Sequence, residues 1–183
     1  MSKVQSAENF AKEQHLCKIR NDVNISYHEH LTSVVTRLKN LGITDEDILS
    51  AAWLQDIINH TDTSFDELDQ RFGSKVAVLV LSMSKNKNLP RTIQEEQYVK
   101  QLKESTLDAK LIKLCDISSC IKDLKNSSFS RTRNTREMKK KLYYLNVIKT
   151  DLIKNKGQIP GIVGFVNGIN ETVTSYGLRP VAF

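Results

Sequence analysis

The apolar residues of this chain recur at helical spacing almost from end to end, and only three prolines and seven glycines interrupt them across 183 residues. Leu31, Val34, Val35, Leu38 and Leu41 follow the i, i+3, i+4, i+7 pattern of a stripe that faces a core, and Gly42 stands where a left-handed residue closes a helix. Thr44 opens the next helix, with Asp45, Glu46 and Asp47 in its first turn and Ile48, Leu49, Ala52 and Trp53 turned inward. This helix is expected to run to about position 58. Ser64 and Glu67 make a capping box for a short helix ending near Gly73. The same periodicity predicts helices over 10–19, 74–84, 92–103, 107–124, 133–155 and 162–174, with loops over 84–91 and 125–134. The valine-rich run 76–81 lacks alternating partners and is expected as buried helix. An all-α chain follows.

The length suits one domain with its own core. We expect a helical domain over 5–125, with C-terminal helices over 126–183 packing on it. At 39% apolar and 26% charged residues the chain is neither disordered nor membrane-embedded, and its longest apolar run is far too short to cross a bilayer. The polar amino terminus lacks the apolar stretch of an export signal. Cys17, Cys115 and Cys120 form neither a disulfide framework nor a CxxC metal knuckle, so a reducing, cytoplasmic setting is expected.

The net charge of +6 is regional: residues 122–156 hold eleven Lys or Arg against three acids, while the remainder is slightly acidic. A solvated helix face is the first reading of that segment; nucleic acid, an anionic surface or a polyphosphate ligand are the others. RTRNTREMKKKLYY does interleave cations with Tyr143 and Tyr144, as a nucleic-acid surface can. However, Leu142, Leu145, Ile148, Leu152 and Ile153 form a helical stripe that needs a core. The tyrosines are therefore expected to pack, and nucleic acid is disfavoured as a partner.

Candidate chemistry starts from the four histidines, His15, His28, His30 and His60. His30 falls near the start of a helix, Asp56 late in the following apolar helix, and Asp116 inside KLIKLCDISSCIKDL, where an uncompensated carboxylate is costly. An acid in each of two apolar helices, with an imidazole on a third, is what a metal site in a helical bundle requires. The alternative is that each acid pairs with a nearby lysine or a helix end. Neither a glycine-rich phosphate loop nor a GxSxG elbow is present.

The segments YHEHLTSVV, ITDEDILSAAWLQDIINHTDTSFDELDQRFG, NLP and AKLIKLCD resemble the hydrolase domain of the RelA/SpoT enzymes and small alarmone hydrolases, members of the HD superfamily. The resemblance runs from about position 10 to 124 and keeps the order and spacing of the motifs. It implies an all-α fold, one divalent metal, typically Mn2+, and hydrolytic removal of the 3′-pyrophosphate from guanosine tetra- or pentaphosphate (ppGpp). His30, Asp56 and Asp116 stand at the positions that hold the metal. Gln55 replaces the histidine of the His-Asp pair; its amide oxygen is a poorer ligand than imidazole. Asn59 and His60 replace a Glu-Asp dyad that works near the attacking water. Asn59 cannot accept a proton, whereas His60 can serve as a base or a substitute ligand. Arg20 falls where a guanidinium stacks on guanine, Asn21 where a lysine is common, Lys87 where a lysine faces the phosphates, and Cys120 where an asparagine touches substrate. Two functions follow: a metal-dependent guanosine polyphosphate pyrophosphohydrolase of impaired activity, or a degenerate domain that binds a guanine nucleotide or a protein partner without cutting.

Overall fold

The structure, a computed structural model, describes residues 1–15 and 25–183 together with the backbone of 19–20. Arg20, expected to stack on guanine, has no described side chain, and Asn21 lies outside the described residues. Among the described residues there are ten α-helices: α1 (Lys3–Gln14), α2 (Tyr27–Asn40), α3 (Glu46–Leu54), α4 (Ile57–His60), α5 (Phe65–Phe72), α6 (Ser74–Ser82), α7 (Arg91–Glu104), α8 (Leu107–Asn126), α9 (Arg131–Lys154) and α10 (Ile162–Ser175). The only strands among the described residues, Ile19–Arg20 and Ile25–Ser26, form a two-residue antiparallel ladder ahead of α2. The expected all-α class holds, with that small ladder added.

Helix ends follow their caps. Ser26 and Glu29 form a reciprocal capping box that starts α2, and Gly42, at φ 82°, follows its end. Asp45, expected in the first turn of the next helix, is instead its N-cap, accepting from the amides of Asp47 and Ile48. The first helix starts earlier than its apolar spacing suggests, because Ser2 caps it and accepts from the amide of Gln5. It also ends sooner, at Gln14. The helix expected to run to about 58 stops at Leu54, and its last turn is offset as α4. The ladder breaks at Asp56, whose φ of −97° and ψ of −2° lie in the sparsely occupied region where many active-site residues sit. Ser130 caps α9, which begins at Arg131, two residues before the expected start, so the loop expected over 125–134 shrinks to 127–130.

The core is continuous. α8 is its axis, with twelve buried residues and contacts to α2, α3, α6, α9 and α10. The valine-rich run forms α6, with Val76, Ala77, Leu79 and Val80 buried. On α9 the stripe Leu142, Leu145, Ile148 and Leu152 is buried against this core, while Ile153 is only partly so. The C-terminal tail folds back on α10: Asn170 donates to the carbonyl of Val181 and accepts from its amide at 2.9 and 2.8 Å. Among the described residues, no helix is long and apolar enough to cross a membrane.

Candidate metal centre and its cavity

The capping box of Ser26 sets the start of α2 and so places His30 one turn in, on the buried face. On α8, Asp116, Cys120 and Asp123 follow one another at i, i+4 and i+7, hence on one side of the helix. The two helices pack, and His30, 1% exposed, is held between two carboxylates. Its Nε2 lies 3.0 Å from Oδ1 of Asp116 and its Nδ1 3.3 Å from Oδ2 of Asp123. The Cys120 thiol donates to the same Asp116 Oδ1 at 3.6 Å, and the Lys113 ammonium donates to Asp116 Oδ2 at 2.8 Å.

Electrostatics reinforce this arrangement. Burial pushes the Asp116 carboxyl upward, but the Lys113 ammonium and the His30 ring beside it hold it well below the usual carboxylate range. Burial likewise works against the Lys113 charge, and Asp116 overcomes it, keeping the ammonium well above its ordinary value. Lys113 also lies over two aromatic rings, 5.7 Å from the centre of Tyr98 and 5.4 Å from that of Tyr144. Lys85 flanks the same pair at 4.9 and 5.5 Å and bonds Glu95 at 2.5 Å. Tyr144 donates its hydroxyl to Glu95, and burial together with that carboxylate raises its phenol above the ordinary value.

Asp116 and Cys120 open onto a cavity of about 640 Å³. Four further sequence candidates line it: Asp56, Asn59, His60 and Lys87. Lys85, Lys113, Lys140 and Lys141 line it as well, so the basic segment, expected first as a solvated face, delivers two cations from α9 to the cavity wall. Asn59 accepts from the amide of Lys85 at 3.0 Å and so ties the α6–α7 loop to the end of α4. Lys87 is exposed and donates to the carbonyl of Thr61 at 3.2 Å. The exposed His60 ring leans on Tyr27, with centroids 5.1 Å apart.

The expected ligands are brought together unevenly. Among the described His, Cys, Asp and Glu residues, the donor atoms that converge within 4.8 Å belong to His30, Asp116 and Cys120. Asp56 faces the same cavity but stands outside that group. Gln55 is 3% exposed, its amide Nε2 has no hydrogen-bond partner, and it is not part of the cavity wall. An imidazole nitrogen, a carboxylate oxygen and a thiol sulfur converging on one point fit a divalent ion. Sequence reading missed Lys113, Asp123, Tyr98, Lys85 and Glu95. The signal for the first two was present: Lys113 precedes Asp116 by three residues and Asp123 follows it by seven, both on its own helix.

A helical core enclosing a buried His-Asp pair beneath a basic cavity defines the class, and residues 7–144 match the HD domain family. The chain belongs to this family. It is 36% identical over 118 residues to guanosine-3′,5′-bis(diphosphate) 3′-pyrophosphohydrolase MESH1 of Danio rerio, covering 63% of this chain and 66% of that protein. The Homo sapiens protein of the same name is 34% identical over 125 residues, covering 67% and 70%. The guanosine-3′,5′-bis(diphosphate) 3′-pyrophosphohydrolase of Aquifex aeolicus (strain VF5) is 35% identical over 124 residues, 66% of this chain but 18% of that much longer protein. The alignments thus span about two thirds of the animal relatives. A solved structure described as a metazoan ortholog of SpoT that hydrolyzes ppGpp superposes with a TM-score of 0.70 at 27% identity, covering 83% of this chain and 86% of that one.

Proposed function

We propose that this protein removes pyrophosphate from the 3′ position of guanosine tetra- or pentaphosphate in a divalent-metal-dependent reaction, slowly, and in the cytoplasm. The observation that carries this reading is the buried His30–Asp116 pair at the base of a lysine-lined cavity, in an HD domain similar to curated 3′-pyrophosphohydrolases. His30 and Asp116 would hold the ion, with Asp56 on the cavity wall and Gln55 standing where a ligand is expected. The family resemblance carries manganese as that ion. Bound there, the ion would supply Lewis-acid polarisation and a more acidic water.

The remaining work falls to the chain's own side chains. Lys85, Lys87, Lys140 and Lys141 give the cavity a cationic wall suited to phosphate groups. Lys113 stays on Asp116, keeping that carboxyl ionised. His60 offers an imidazole nitrogen that can take a proton from water, the role that Asn59 cannot fill. Arg20 is the residue proposed to stack on the guanine, with Asn21 beside it and Cys120 at a substrate-facing position. One observation favours a second reading, nucleotide binding without cleavage: Asn59, at a catalytic position, serves as a tether for the Lys85 amide.

The test is product analysis with guanosine tetraphosphate and protein loaded in parallel with manganese and with zinc. Pyrophosphate and guanosine diphosphate in equal amounts, lost in Asp116→Asn, are the expected result. Tight nucleotide binding with no product supports the second reading. Neither binding nor product overturns both.

A further inference from the structure

We propose that Cys120 is a direct metal ligand, so that this site is a His30–Asp116–Cys120 centre selective for zinc over manganese. The inference rests on the metal site of the preceding reading, not on its substrate. The three donors already form a compact face. Oδ1 of Asp116 is 3.0 Å from His30 Nε2 and 3.6 Å from Cys120 Sγ, and all three atoms lie within 4.8 Å of one another. Tetrahedral zinc, with arms of about 2.0–2.3 Å, sets its donors roughly 3.3–3.6 Å apart. Small shifts therefore seat the ion.

The surroundings assign each donor its task. Lys113 occupies Oδ2 of Asp116, which leaves Oδ1 to face His30 and Cys120. Asp123 sits on Nδ1 of His30, the carboxylate–histidine arrangement that orients Nε2 toward a metal. Burial keeps all three ligands at 7% exposure or less, which limits competing water on the protein side, while the cavity leaves a side open for a fourth ligand. The thiol proton passes to solvent as the thiolate coordinates. Thiolate and imidazole favour zinc, whereas manganese prefers carboxylate and water oxygens. The sulfur at Cys120 thus shifts the preference toward zinc, and Gln55, outside the converging donor group, does not enter the balance.

Cobalt(II) is the probe, because a cobalt–thiolate bond gives a near-ultraviolet charge-transfer band that no oxygen or nitrogen ligand produces. The expected result is a stoichiometric band, displaced by zinc but not by equal manganese. It is lost in Cys120→Asn and kept in a Cys17→Ser/Cys115→Ala variant. Zinc affinity in Cys120→Asn should fall at least about 10-fold. Circular dichroism of each variant verifies its helical fold, and Cys120→Ala serves as a second test of the same position. Cobalt bound without the band, and released by Asp116→Asn, overturns the cysteine ligand while leaving a metal-dependent hydrolase intact. A band that survives both Cys120 variants, or no cobalt binding at all, also overturns it.

Discussion

Asp116 governs the site because its two oxygens serve different partners, Oδ2 the Lys113 ammonium and Oδ1 the His30 ring and the Cys120 thiol. Its importance is readable from sequence, since a carboxylate inside an apolar helix demands compensation. The compensation itself is harder to read. The lysine partner is present in Lys113, and it leaves the metal-site expectation open, because one carboxylate can serve each with a separate oxygen. Asp123 was hidden by its setting in a basic segment, where an acid looks like an ordinary surface charge. Away from the site, Asp45 makes a residue-scale prediction. It caps α3, and the Lys75 ammonium beside it lowers its carboxyl below the usual value. A lowered carboxyl stabilises the fold above about pH 4 and loses that contribution as pH falls through its folded value. Asp45→Ala should cost about 0.5–2 kcal/mol at pH 7, measured by urea denaturation, and less toward about pH 3. An equal cost at both pH values would refute the charge contribution.

At the scale of elements, the helices with dense apolar stripes were the most legible: α2, α6, α8 and the centre of α9 lie where periodicity puts them. The errors fall where a cap or a local break outweighs periodicity. Ser2 starts α1 well before its first bulky apolar residue beyond Val4, and the turn at Asp56 interrupts what reads as one helix. That break has a consequence for the site, since it gives Gln55 and Asp56 different surroundings, one packed inside and the other on the cavity wall. α9 is the element that carries lysines to the cavity, and Leu145, fully buried, fastens it to the core. Leu145→Ala should cost about 2–5 kcal/mol in denaturant unfolding. A cost near zero would mean that α9 does not pack as described.

Across the whole molecule, the positive charge is spent unevenly. The net +6 sits largely in residues 122–156, and the fold turns part of that segment, Lys140 and Lys141, toward the cavity that holds Asp116. Composition could show the excess but not its direction, because lysines on a long helix face every side until packing selects one. Family membership was legible from the motifs, whereas the convergence of Cys120 on His30 and Asp116 required the packing of α2 on α8. The pyrophosphohydrolase site proposed for this cavity departs from the resembled motif at three positions, Gln55, Asn59 and His60. Asn59→Glu keeps an oxygen for the Lys85 amide, so the tether need not be lost. The most direct test is therefore the rate of pyrophosphate release from guanosine tetraphosphate by a Gln55→His/Asn59→Glu/His60→Asp variant, against the unaltered protein. Restoring a positioned acid–base pair and a ligand should raise the rate by about 100-fold or more. A folded, metal-loaded variant no faster than the original would contradict the account.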